Sequence, residues 1–172
     1  ALSDTERLWQ DERGVPEVQQ LCTLWGLPLS AEQPDSTMIE RVVKECLGVP
    51  YVHGGRDLTG FDCLGLVWYF YNRLGINIPD GDGKFISAEW YTEEPDRLER
   101  NLKQLGVAVN LENGLEVLDL LYFEIAEGVV SHLGILVSEN MFIHCMENRP
   151  VGLDRIDRLF WKRKLVGARR VV

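Results

Sequence analysis

Apolar residues recur at helical spacing in the first half of the chain and at strand spacing in the second. Residues 3 to 25 are predicted helical behind a Ser3 or Asp4 cap, with Leu8, Trp9, Val18, Leu21, Cys22 and Trp25 as the apolar positions. Gly14-Val15-Pro16 breaks that segment in two, Gly26-Leu27-Pro28 ends it, and polar Ser30 to Ser36 is a connector. A second helix is capped near Asp35 or Ser36, carries Met38, Ile39, Val42, Val43, Cys46 and Leu47 at helical spacing, and stops at Gly48. After a loop through Gly54-Gly55, Asp62 opens a third helix whose Leu64, Val67, Trp68, Tyr71 and Leu74 follow i, i+3, i+4, i+7, i+10, closed by Gly75. Pro79 to about Gly106 mixes glycines with Trp90, Tyr91 and a charged helix near Glu93 to Leu105, as an insertion able to wall a groove.

The remainder alternates as strands: Leu118 to Ile125, Ser131 to Val137, Met141 to Cys145, and Lys164 to Val171, with Ser138-Glu139-Asn140 as a hairpin turn. Helices first and a largely antiparallel sheet second make an α+β fold, with N-terminal helices packed on the sheet. The division predicted is an N-terminal helical extension at 1–35 and one domain at 36–172.

Bulk properties then bound the possibilities. A chain of 172 residues buries roughly 70% of its unfolded surface, and an apolar content of 45% argues for a globular fold. The formal charge of −9 disfavours nucleic acid and anionic membranes as partners. A basic run from Arg155 to Arg170 leaves a local positive patch open, against the plainer reading of a solvated edge around Trp161. No apolar run reaches the ~18 residues of a membrane span. No signal-peptide pattern opens the chain, and a start at Ala1 leaves prior removal of a leader open. Cys22, Cys46, Cys63 and Cys145 do not form a disulfide scaffold; Cys22 and Cys46 are expected as small buried thiols. No ligand spacing calls for a metal or other cofactor, although Cys63, His132, His144 and Cys145 were they to converge would offer zinc donors.

The candidate chemistry centres on Gly60-Phe61-Asp62-Cys63-Leu64-Gly65-Leu66. Cys63 falls in the first turn of its helix, where free N–H groups and the positive end of the helix dipole stabilise a thiolate and an adjacent oxyanion. The competing reading is a small apolar residue starting a core helix. His132 opens one strand and His144 lies in the next. If Ser138-Glu139-Asn140 is a three-residue loop, position 134 faces 144 and both imidazoles project from one face of the hairpin. A two-residue loop would separate them. On the first register His132 is the base and His144 the group that fixes its tautomer.

These segments carry a resemblance. Leu47 to Gly55 with Gly60 to Val67, and then Asp119-Leu120-Leu121-Tyr122-Phe123, Ser131 to Ile135 and Phe142-Ile143-His144, are similar in content and order to the NlpC/P60 family of papain-like cysteine peptidases, over roughly residues 37 to 171. The resemblance implies a papain-like fold, a triad of Cys63, His132 and His144, and hydrolysis of peptidoglycan stem peptides, typically between D-γ-glutamyl and a diamino acid. By position it assigns Tyr51 to the oxyanion hole and Asp62 to the free amine of the substrate, beside Asp62's plainer role as an N-cap.

Two departures stand out. Leu64 replaces the usual Ser after the cysteine, removing a hydroxyl that would help hold an amine, and Val117-Leu118 replaces the usual Pro-Gly before Asp119. Asp62-Cys63-Leu64-Gly65-Leu66 and the Pro79 to Gly106 segment resemble phage tail-associated members. That branch implies phage tail proteins as partners, with cytoplasmic assembly and then a place in the virion tail; otherwise the resemblance implies the cell envelope. The alternatives are an assembly module of a tail or envelope complex with little turnover, and a cysteine amidase or acyltransferase acting on a substrate outside the wall.

Overall fold

A computed structural model of the chain describes residues 34–172, so the helical segments expected before residue 34, and Cys22 with them, lie outside the described residues. Helix α1 (Ser36–Cys46) is capped by Asp35, whose carboxylate accepts from the Met38 N–H at 2.8 Å. It buries Ile39, Val42, Val43 and Cys46, whereas Met38 and Leu47, expected on the same face, are exposed. Helix α2 (Cys63–Arg73) is capped by Asp62 and ends before Gly75, which takes a positive φ of 78°. Its buried surface is wider than the expected stripe, because Leu66 and Phe70 are fully enclosed alongside Val67 and Tyr71, while Leu64 and Trp68 are only partly buried.

Between the two helices a short hairpin, β1 (Arg56–Asp57) with β2 (Gly60–Phe61), brings the chain to the start of α2. The charged helix expected near Glu93 to Leu105 is two shorter ones, α3 (Trp90–Glu93) and α4 (Arg97–Leu102). The break falls at Pro95, which disfavours helical backbone at the residue before it.

One antiparallel sheet of six strands follows, in the order β3 (Val107–Ala108), β8 (Leu165–Arg170), β4 (Leu120–Phe123), β5 (His132–Leu136), β6 (Met141–His144), β7 (Gly152–Arg155). The four expected strands are present with tighter ends; β3, β7 and the helix α5 (Leu159–Lys164) are additions. Strands β5 and β6 pair Gly134 with His144 and Leu136 with Phe142, so Ser138-Glu139-Asn140 is the three-residue loop that keeps the two histidines on one face.

The two faces of the sheet carry separate cores. Leu120, Leu133, Ile135 and Ile143 pack with α1 and α2, and Leu121, Phe123, Leu136, Phe142 and Ala168 pack with Trp161 of α5. Trp161 is therefore not a solvated edge: it is 4% exposed. Part of the basic run around it is paired, Arg155 with Asp157, Arg158 with Asp154, and Arg170 with Asp119 and Glu116.

At the turn into β4 the Gly position of the resemblance holds Leu118 with a φ of 73°, a left-handed conformation that costs a non-glycine residue roughly 1–2 kcal/mol. Three hydrogen bonds hold it: Leu118 N–H to Leu136 O (2.7 Å), Asp119 N–H to Glu116 O (2.9 Å), and the buried Tyr71 hydroxyl to Leu118 O (2.7 Å). Among the described residues no helix is long and apolar enough to cross a membrane.

Candidate active site

The start of α2 is built by its approach to the preceding loop. A Cβ on Gly65 would lie 1.8 Å from the Gly55 carbonyl oxygen, so only glycine lets helix and loop come this close. Asp62 locks the arrangement. Its Oδ1 accepts from the Gly65 N–H (2.7 Å) and from Arg56 Nη1 (2.9 Å), and its Oδ2 accepts from the Gly54 N–H (2.8 Å). Both oxygens and the charge are thus taken up within the fold, and the structure gives Asp62 its capping role. The substrate-amine role would have to compete with Arg56, a residue that sequence reasoning did not single out.

Two adjoining clefts, one larger than the other, open at Cys63 and share Tyr51, His53, Trp90 and Ser131 in their walls. His132 lines the larger one with Cys63; His144 lines neither and stands behind His132. Ile86, Trp90, Arg97 and Leu98 form the opposite wall, so the segment from Pro79 to Gly106 does border a groove. Tyr51 is held by its neighbours' backbone bonds to β2, Val52 N–H to Phe61 O (2.9 Å) and Phe61 N–H to Pro50 O (3.0 Å). Burial raises its hydroxyl to about 12, leaving it a proton donor at neutral pH.

The histidines are in contact. His132 Nε2 lies 3.0 Å from His144 Nδ1, and both rings are nearly fully buried. Phe123, Phe142 and Trp161 enclose them, with Trp161 stacked on His132 at 5.8 Å and edge-on to His144 at 4.9 Å. Beyond them is a residue absent from the sequence-based set. Asp154 Oδ2 is 3.3 Å from His144 Nε2, and Asp154 Oδ1 accepts from Arg158 Nη1 at 3.1 Å.

The electrostatics differ from the expected helix-start thiolate. Burial pushes the Cys63 thiol up to about 12, and the Asp62 carboxylate next to it adds to the rise. The backbone N–H groups of Leu133 and Leu64 pull it back down without reversing the sign. Burial, and then the neighbouring His144, lower His132 to about 3. His144 is lowered by burial against the opposing pull of Asp154. At neutral pH the Cys63 thiol and the His132 imidazole are therefore both uncharged.

Of the other described cysteines, Cys46 is buried in the α1 core, and Cys145, which borders the larger cleft, points its thiol at Phe61 O (3.3 Å). Among the described residues no cluster of His, Cys, Asp and Glu is arranged to hold a metal ion, and Cys63, His132, His144 and Cys145 do not converge on one point.

A family model described as the NlpC/P60 family matches residues 48–170. The chain is 31% identical over 134 residues to the probable endopeptidase YafL of Escherichia coli K12, covering 76% of this chain and 47% of that protein. It is 30% identical over 146 residues to the gamma-DL-glutamyl hydrolase of Bacillus subtilis 168, covering 83% of this chain and 30% of that one. A crystal structure of an NlpC/P60 family protein from Bacillus cereus superposes with a TM-score of 0.61 at 27% identity, over 83% of this chain and 42% of the other. The chain thus spans less than half the length of these relatives.

Proposed function

The chain belongs to the NlpC/P60 family, and from that premise we propose that it is a cysteine peptidase that cleaves bacterial cell-wall stem peptides. The observation that carries this reading is the 3.0 Å contact between His132 and His144 behind a cleft that His132 shares with Cys63. Cys63 Sγ attacks the scissile carbonyl carbon while its proton passes to His132. The carbonyl oxygen becomes an oxyanion, to which the Tyr51 hydroxyl donates. Collapse breaks the C–N bond, the amine leaves with the proton from His132, and a thioester to Cys63 remains. Water then attacks the thioester, giving its proton to His132, and the acid leaves as the thiol is restored.

Two finer elements belong to the same proposal. The bond is that between D-γ-glutamyl and a diamino acid; its γ-glutamyl side is supported by the relative named a gamma-DL-glutamyl hydrolase. The chain is a phage tail-associated member, supported by Leu64 after the cysteine and by the groove-walling segment from Pro79 to Gly106. The second reading is an assembly module with little turnover. It is favoured by the Arg56–Asp62 ion pair, which occupies the carboxylate expected to meet the substrate amine.

Mass spectrometry of peptidoglycan and free stem peptides, after incubation with the protein and with Cys63→Ala, tests the proposal. Fragments ending at D-glutamate, made only by the unmutated protein, are the expected result. No thiol-dependent product from either substrate transfers the assignment to the assembly module or to an acyl substrate outside the wall.

A further inference from the structure

The register of three adjacent strands places His132, His144 and Asp154 on one face of the sheet. Gly134 pairs with His144 and Phe142 with Asp154, so the three residues step diagonally from β5 through β6 to β7. Their contacts follow the same line, 3.0 Å from His132 Nε2 to His144 Nδ1 and 3.3 Å from His144 Nε2 to Asp154 Oδ2. Arg158, one turn of chain further on, holds the other carboxylate oxygen at 3.1 Å. The rings of Phe142 and Trp161 also pack on His144, and Arg149 is a nearby cation.

We infer that Asp154 is a positioning residue that acts through His144 to fix which nitrogen of His132 serves as the base. A carboxylate only accepts hydrogen bonds, so Asp154 at 3.3 Å favours the tautomer of His144 with its hydrogen on Nε2, the nitrogen that faces it. The Nδ1 of His144 is then bare and accepts from His132 Nε2–H. That leaves His132 with an unprotonated Nδ1, the nitrogen available to take the Cys63 proton. Without Asp154 neither ring has a preferred tautomer, and a His144 carrying its hydrogen on Nδ1 would turn the His132 lone pair away from the cleft. Arg158 holds the carboxylate by its other oxygen and so aims it at His144. The role rests on the peptidase reading for its consequence in catalysis, but the tautomer assignment does not.

Long-range proton–nitrogen NMR of the imidazoles at neutral pH, in the unmutated protein, Asp154→Ala and Asp154→Glu, tests the inference together with stem-peptide kinetics. In the unmutated protein both His132 and His144 should show a protonated Nε2 and a bare Nδ1. In Asp154→Ala the His144 signals should shift toward mixed tautomers, and kcat should fall about 10- to 100-fold at unchanged KM, as for other groups that orient a functional histidine. Asp154→Glu should restore the tautomer and part of kcat. A hydrogen on His144 Nδ1 in the unmutated protein overturns the inference, even if the alanine variant does not fold. So does an alanine variant with unaltered tautomers, whatever its activity. Should the unmutated protein cleave no stem peptide, the functional reading fails while the imidazole signals still decide the role of Asp154.

Discussion

Cys63 is an N-terminal helical residue whose surroundings cancel the benefit of that position. Its capping carboxylate and its burial both oppose the anion. Its alkylation by iodoacetamide should therefore climb with pH beyond ~8.5, the ordinary range for a cysteine. A plateau below neutrality would reveal a preformed thiolate–imidazolium pair and contradict the resting state described above. His132 makes a complementary prediction for stability. Its pKa falls from the ordinary 6.5 to about 3 on folding, so between those values the unfolded chain binds a proton that the folded chain refuses. The contribution is complete above pH 6.5 and declines as pH falls toward 3, by on the order of a few kcal/mol. Urea unfolding at pH 7 and pH 4.5 should show a smaller loss in His132→Gln than in the unmutated protein. Both histidines were legible in the sequence because the length of one loop fixed their parity. Asp154 was not, because β7 alternates Gly, Leu, Asp and Arg with no apolar period to mark it as a strand.

Among the elements, the contact between the Gly54-Gly55 loop and α2 sets the position of Cys63. Gly65→Ala would drive a Cβ into the Gly55 carbonyl, whose backbone is held by Gly54 N–H to Asp62 and cannot simply withdraw. The substitution should cost about 3 kcal/mol, the scale of an overpacked core, and displace Cys63 enough to abolish turnover. Thermal unfolding and stem-peptide assays of the same preparation check both effects. A second element-level test concerns the strained turn at Leu118. Tyr71→Phe removes the buried hydroxyl that donates to Leu118 O and should lower stability by about 1–2 kcal/mol, measured from the urea midpoint. Val117-Leu118 stands here where the resemblance has Pro-Gly, and the turn keeps its shape because neighbouring strands and α2 hold the leucine in the left-handed conformation. The helix α5 escaped sequence reasoning since Lys162, Arg163 and Lys164 surround its one buried residue, Trp161. Long apolar periods were easy to see, and short charged elements anchored by a single side chain were not.

At the scale of the molecule, the segment from Pro79 to Gly106 is tied to the site by a few polar contacts. Buried Arg97 donates to Asp82, Glu94 and the carbonyls of Lys84 and Phe85, His53 Nε2 meets Ile86 O at 2.8 Å, and Arg56 Nε donates to Asp80 at 2.8 Å. Arg97→Ala should release residues 82–94, seen as faster amide hydrogen exchange confined to that stretch, and should raise KM more than it lowers kcat. Equal exchange in both proteins would mean that the wall stands without its central cation. Trp161 has a consequence of another kind. Its indole touches both imidazoles from within the second core, whereas Trp68 lies on α2 and Trp90 in the groove wall. A protonated imidazole dims an adjacent indole far more than a neutral one does. With Phe at Trp9, Trp25, Trp68 and Trp90, the remaining emission becomes a clock on the proton of the proposed reaction, expected to dim when it leaves sulfur and to brighten when it departs with the amine.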